Sequence, residues 1–240
     1  KNNDYFGQTD LYHYEFDTGK ETKIKSSVYS APTWNSNGKV IYFSKKSKYP
    51  NKYGSKYYDI YSFDVETEKE ERLTIDARAF NPVFIQKDSS IAYIATYDGG
   101  QDIYKLDLKS KNSEKLTDFK ERPMISHLNY EPRTKQLIFD ITKHHYRDIY
   151  SYDLVNETID LIENNSSFDE RNMSENLSGL RVYSKDKSGI FNLYMSNSAD
   201  TSAGYITNVT GGAFMPDVSK NGKVLYSVYD KGSYNIALLD

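Results

Sequence analysis

Asp102-Ile103-Tyr104 is followed, thirteen residues beyond its tyrosine, by the threonine that closes Lys115-Leu116-Thr117, and both landmarks return along the chain in register. Full copies of the first stand at Asp59-Ile60-Tyr61 and Asp148-Ile149-Tyr150. Degenerate copies stand at Asp10-Leu11-Tyr12, Asn192-Leu193-Tyr194 and Asn235-Ile236-Ala237. Their first positions lie 49, 43, 46, 44 and 43 residues apart, and Thr74 and Thr207 keep the same distance from Tyr61 and Tyr194 as Thr117 keeps from Tyr104. A turn signal precedes each of the last five motifs, at Gly38, Ser89, Thr134, Gly179 and Gly222. A chain with this regularity is an array of one supersecondary unit. Its period is that of a four-stranded β-propeller blade, not of a helical pair or a leucine-rich repeat.

Within a unit the order of strands can be read directly. Ala31-Pro32-Thr33-Trp34 reads as strand a, Val40 to Ser44 as b, Asp59 to Val65 as c and Glu71 to Thr74 as d. Asn37-Gly38 and Asn221-Gly222 form the hairpins before strand b, because Asn-Gly accepts the positive backbone angles of a tight, right-twisted turn. The strands are rich in Val, Ile, Tyr, Phe and Thr, and apolar residues occupy both faces, as expected where every blade is packed between two others. No amphipathic helix is legible. The 23 tyrosines suit the wedge between blades, where the ring fills space and the hydroxyl reaches water or backbone.

The composition sets bounds on function. The chain has 240 residues with 38% hydrophobic and 27% charged side chains, enough for a well-buried all-β domain. No stretch reaches membrane-spanning length. A formal charge of −3 supplies no general field for nucleic acid or for an acidic membrane, so no nucleic-acid partner is expected. With no cysteine there are no disulfides, thiolate metal ligands or thiol nucleophiles.

The expected organisation is a single propeller domain over 1–240, with repeats at 1–26 (partial), 27–75, 76–118, 119–163, 164–208 and 209–240 (partial). Asp10 to Asp17 and Glu21 to Lys25 read as strands c and d of an incomplete first blade. Pro216 to Ser219, Val224 to Val228 and Tyr234 to Leu238 read as a, b and c of an incomplete last one. The count reaches twenty-one strands. The fold class expected is therefore all-β: a propeller of four-stranded antiparallel blades, six-bladed, incomplete at both chain ends and part of a longer polypeptide.

At these residues the chain resembles the TolB-like, WD-repeat-like propellers of bacterial envelopes. That repeat runs Pro-x-aromatic-Ser-x-Asp-Gly, then an apolar-aromatic strand, then Asp-Ile-Tyr, then Leu-Thr. Arg72-Leu73-Thr74, Asn81-Pro82-Val83-Phe84, Ile91-Ala92-Tyr93, Met215-Pro216-Asp217-Val218-Ser219 and Asn221-Gly222-Lys223 carry the resemblance, which covers nearly the whole chain. The sequence departs from it at Asn172-Met173-Ser174, lacks the Trp-Asp signature of eukaryotic WD repeats, and has Trp34 as its one tryptophan. The resemblance implies a propeller in the periplasm or associated with the outer membrane. It does not by itself assign an activity, since such propellers serve many functions.

Few residues suggest chemistry. A residue required once per blade is normally a structural device, so Asp59, Asp102 and Asp148 are expected to cap loops or bind a neighbouring strand. His144 and His145 fall in a loop between strands b and c. Adjacent residues of an extended chain point to opposite sides, which makes a shared metal awkward and leaves a partner contact or a plain loop. Tyr97-Asp98-Gly99-Gly100 reads as a glycine turn, and the run Glu66, Glu68, Glu70 and Glu71 as a solvated face. The sequons at Asn156, Asn164, Asn165, Asn172, Asn176 and Asn208 are expected by chance in a chain rich in Asn, Ser and Thr. No nucleophile elbow, zinc-protease helix or phosphate loop is present in the sequence, so neither a catalytic residue nor a cofactor is expected.

One connection breaks the repeat. Gly38 lies 21 residues before its motif, whereas the equivalent separations elsewhere are 13 or 14. The extra length carries Lys45, Lys46, Lys48, Tyr49, Lys52, Tyr53, Lys56, Tyr57 and Tyr58 with no acid before Asp59. A basic, aromatic loop of this kind suits an acidic partner surface, a glycan or a lipid headgroup, or is a tolerated insertion made soluble by lysine. Lys45, Lys46, Lys48, Tyr49, Lys52, Tyr53, Tyr57, His144 and His145 are thus the candidate partner-binding residues. The leading expectation is a non-catalytic scaffold for protein–protein interaction in a bacterial envelope assembly. A substrate-gating propeller of a larger serine peptidase and a glycan or small-ligand binder stay open beside it. The partner's identity and any lipid anchor are not legible.

Overall fold

In the computed structural model, residues 9–85, 89–143, 145–163, 167–197 and 202–240 are described. Their regular structure is entirely β, in twenty-one strands forming five sheets. The chain divides into two compact units, 1–120 and 121–240.

The first unit holds two sheets. One contains β1 (Thr9–Glu15), β2 (Lys20–Val28), β3 (Thr33–Trp34), β4 (Val40–Lys46), β5 (Tyr58–Asp64) and β6 (Glu70–Arg72), in the order β1-β2-β4-β5-β6 with β3 also on β4. The other is a four-stranded blade of β7 (Ala79–Ile85), β8 (Ser90–Tyr97), β9 (Gly100–Asp107) and β10 (Ser113–Lys115). The second unit holds three sheets. Two are four-stranded: β11 (Met124–Glu131), β12 (Gln136–Lys143), β13 (Tyr146–Asp153) and β14 (Ile159–Glu163), then β15 (Glu170–Glu175), β16 (Leu180–Lys185), β17 (Asn192–Asn197) and β18 (Ala203–Tyr205). The third has β19 (Ala213–Val218), β20 (Val224–Asp230) and β21 (Ser233–Leu239). All pairings are antiparallel.

The six-bladed expectation is corrected: there are five sheets. The cause lies at the edge of β4. Strand a of the first blade shrinks to β3, whose Thr33 and Trp34 face Tyr42 and Ile41. The free remainder of that edge is taken by the end of β2, through the pair Val28↔Lys45 and the bond from Tyr29 N to Ser44 O at 2.9 Å. The strands read as a separate opening blade therefore extend the first blade's sheet.

In the first four sheets the motif places its central residue at the heart of the blade, whereas Ile236 of the last is exposed. Ile60, Ile103, Ile149 and Leu193 are fully buried. In the first unit Ile60 packs with Tyr42, Leu73, Ala79, Ile91 and Tyr93, joining the two sheets. In the second, Ile149 packs with Ile138, Met173 and Tyr183, and Leu193 with Val182, Ala213 and Tyr226. Burying each such side chain stabilises the fold by about 1.5–3 kcal/mol. The first strand of each of the last four sheets carries a bulge, with a positive φ at Asn81, His127, Asn172 and Met215. The bulge re-aims the side chains beside it, a common arrangement near binding sites.

Candidate functional site

The motif aspartates Asp59 and Asp102 are structural. Asp59 accepts hydrogen bonds from Thr74 Oγ1 at 2.9 Å and from Ala77 N at 2.9 Å, while Ile60 N donates to Thr74 Oγ1 at 3.0 Å. Asp102 repeats this with Thr117 Oγ1, Phe119 N and the Ile103 N to Thr117 bond, each at 2.9–3.0 Å. Asn192 does the same with Thr207 Oγ1 at 3.0 Å and Val209 N at 2.8 Å. The two landmarks recognised in the sequence are thus donor and acceptor of one clasp. It ties strand c to strand d and fixes the chain leaving d. Arg72 and Lys115 add ion pairs to Asp59 and Asp102.

The acidic run is also engaged more than a solvated face requires. Glu70 pairs with Lys45 and Lys25, Glu66 with Lys39, and Glu71 with Lys111 of the next sheet. Asp98 and Gly99 take positive φ in the tight turn between β8 and β9, as expected of a glycine turn.

The insertion after β4 divides into fixed and presented residues. Lys45 is held by Glu70 at 2.7 Å and lies over the Tyr61 ring. Tyr57 accepts a bond from Arg78 Nη2 at 3.0 Å, with the guanidinium over its ring, and this bond lowers the phenol's pKa. Tyr58 stacks on Tyr29 at 4.2 Å. Between these anchors, Ser47 N bonds to Tyr57 O, and the Asn51 side chain accepts from both Tyr53 N and Ser55 N at 3.0 Å, closing a turn at Gly54. That turn presents Tyr53, and Tyr49 stands just before it; Tyr49 is 70% and Tyr53 78% exposed. Lys48 lies over the Tyr49 ring and Lys52 over the Tyr53 ring. Lys46 ends β4 and is exposed.

Of the paired histidines, His145 is exposed in the turn between β12 and β13 with a φ of 76°. His144 lies outside the described residues, as do the sequon residues Asn164 and Asn165. Among the described residues no three His, Asp or Glu side chains gather as a metal site.

A polar group that sequence reading did not single out lies close to His145 in the chain. Asp140 on β12 is fully buried and accepts from Asn172 N at 3.0 Å through Oδ2. Loss of water pushes its carboxyl up to about 8. His127 Nε2 meets Met173 O at 3.3 Å, so that nitrogen carries the proton, and burial lowers the ring to about 4. Arg147 on β13 and Arg171 on β15 both act electrostatically on Asp140. Aligning the repeats on their motifs exposes Arg147: the position before the motif reads Tyr58, Gln101, Arg147, Phe191, Tyr234.

With this geometry in view, the comparisons with known proteins can be placed. No family model matches the chain, and no curated protein matches it by sequence. Solved structures do. TolB from Acinetobacter baumannii superposes with a TM-score of 0.78 at 19% identity over 96% of this chain and 56% of its own. A putative TolB from Agrobacterium tumefaciens gives 0.78 at 16% identity, over 96% of this chain and 84% of that one. An oligogalacturonate lyase from Vibrio parahaemolyticus gives 0.66 at 16% identity, over 96% and 72%. The chain has a TolB-like β-propeller fold. It spans a little over half the length of the Acinetobacter TolB chain. At these identities the likeness establishes the fold; the same fold serves a lyase, so it assigns no chemistry.

Proposed function

We propose that this chain is a non-catalytic propeller that docks a protein partner in a bacterial envelope assembly, in the periplasm or at the outer membrane. The observation that carries the reading is the presentation of Tyr53 on a turn tied down by Asn51 and of Tyr49 just before that turn, each ring flanked by a lysine. Exposed aromatics on a loop stiffened by its own hydrogen bonds lose little entropy on binding, and tyrosine is enriched among the residues that dominate interface energies. The resemblance to TolB-like propellers supports the compartment and the protein partner. Among the described residues no helix is long and apolar enough to cross a membrane.

The docking set is narrower than the sequence suggests. Tyr49, Tyr53, Lys46, Lys48 and Lys52 present themselves to a partner, while Lys45 and Tyr57 hold the insertion to its blade. The test is capture from a bacterial envelope extract by the immobilised protein, followed by affinity measurement on the captured partner. Tyr49→Ala with Tyr53→Ala should weaken binding at least tenfold with melting unchanged. Binding untouched by that pair would overturn the reading.

A further inference from the structure

Two repeated positions come together at sheet junctions within the units. One is the residue before the motif; the other is the residue before the bulge in the first strand of the following sheet. Where the fourth sheet meets the fifth they are Phe191 and Phe214, with ring centroids 5.4 Å apart. In the first unit the same two positions are Tyr58 and Phe80, joined through Tyr29. Where the third sheet meets the fourth they are Arg147 and Arg171. A position pair that is aromatic at those two junctions here holds two cations.

Neither arginine forms a close ion pair among the described residues. Arg72, Arg133 and Arg181 are each bound to a carboxylate; among the described residues neither Arg147 nor Arg171 is. The Arg171 guanidinium lies 3.6 Å from the Phe191 ring centroid and 5.2 Å from that of Phe214, and its Nε is buried with no hydrogen-bond partner. Arg147 Nε reaches Thr142 Oγ1 at 3.3 Å and its terminal amines make no hydrogen bond among the described residues. The two guanidinium groups repel: Arg147 helps to hold Arg171 below the usual arginine pKa, after desolvation. Asp169 and Asp186 act favourably on Arg171 from nearby, but neither reaches a guanidinium: one oxygen of each serves the backbone, Asp169 Oδ1 accepting from Arg147 N at 3.1 Å and Asp186 Oδ1 from Asp169 N at 2.7 Å. Two partly buried cations held together with unused donors destabilise the free protein and suit an anion that supplies the missing acceptors.

We propose that Arg147 and Arg171 form a binding site for a carboxylate carried by an acidic peptide segment. Planar guanidinium edges offer paired donors that match a carboxylate's two oxygens, and the flanking phenylalanine faces fix the plane of one of them. A monovalent carboxylate fits better than a divalent phosphate because Asp169 and Asp186 stand close by. The site lies in the second unit and does not depend on the Tyr49–Tyr53 loop.

The test is a low-salt titration, followed by nuclear magnetic resonance and calorimetry, with an acetylated and amidated glycine-rich peptide holding one glutamate. Its glutamine counterpart and inorganic phosphate are run in parallel. The expected result is saturable binding of the glutamate peptide, at least tenfold weaker binding of the other two, and at least a tenfold loss in Arg171→Met. Arg171→Lys, which keeps the charge without the fork, should lose severalfold. Should Arg171→Met fail to fold, Arg147→Gln, whose side chain is less packed, should show the tenfold loss. Shortening the insertion should leave the titration unchanged. Equal binding of the glutamate and glutamine peptides, tighter binding of phosphate, unchanged binding in the arginine variants, or loss on shortening the insertion would each overturn the proposal.

Discussion

Asp140 occupies a position that three other repeats fill with serine. The register that pairs it with Ile149 pairs Ser44 with Ile60, Ser184 with Leu193 and Ser227 with Ile236. Raised to about 8 by burial, its carboxyl keeps a proton in the fold that the unfolded chain releases near 3.8. Its contribution to stability is therefore whole below about pH 4 and is lost as pH rises to about 8. His127, lowered to about 4, acts in the opposite sense: its contribution is whole above 6.5 and is lost as pH falls towards 4. The two slopes oppose each other between about pH 4 and 6.5, and between 6.5 and 8 only Asp140 acts. Urea unfolding should show stability falling over that upper window. Asp140→Asn, which keeps an acceptor for Asn172 N, should abolish the fall and exceed the wild type by a few kcal/mol, on the order of the pKa shift, at pH 8, with no gain near pH 4. Equal stability of the two proteins at pH 8 would show that Asp140 is ionised in the fold.

At the scale of the element, the clasp between motif and threonine sets the expected costs. Thr117→Val leaves Ile103 N without its acceptor and removes one of Asp102's donors, and should cost about 1–3 kcal/mol in chemical denaturation. Asp102→Asn should cost less than Asp102→Ala, because Asn192 already makes the same two bonds in the fourth sheet. Equal losses for the two substitutions would mean that the carboxylate charge, not the clasp, holds the strand. The insertion gives a kinetic expectation. Lys46, Lys48 and Lys52 changed to Gln should chiefly slow association with a partner and flatten its salt dependence, whereas the tyrosine substitutions should speed dissociation. Stopped-flow or surface-binding traces separate the two.

The strands, the hairpins and the clasp were legible because each depends on local spacing that recurs along the chain, the clasp in three repeats. The fusion of β2 to β4 was not, because it turns on how much of one strand edge a two-residue β3 leaves open. The bulges at Asn81, His127, Asn172 and Met215 also escaped, since only two of the four precede proline and none is glycine. Within the insertion the sequence located the loop but did not separate Lys45 and Tyr57, whose partners Glu70 and Arg78 lie far along the chain, from the presented Tyr49 and Tyr53. Arg147 and Arg171 were passed over because the motif was read for what it repeats, and their meaning lies in where they replace aromatic rings.

For the molecule as a whole, the fold is that of a TolB-like propeller and the function proposed for it is docking. The most direct measurement places a photo-crosslinking amino acid at position 53 and, as a control, at position 67 in the turn between β5 and β6, and irradiates each protein in a bacterial envelope extract. Docking through the insertion predicts a discrete protein adduct from position 53 that excess unlabelled wild type competes away and the Tyr49→Ala variant competes poorly, with none from position 67. No competable adduct from position 53, or the same adduct from both positions, would contradict it.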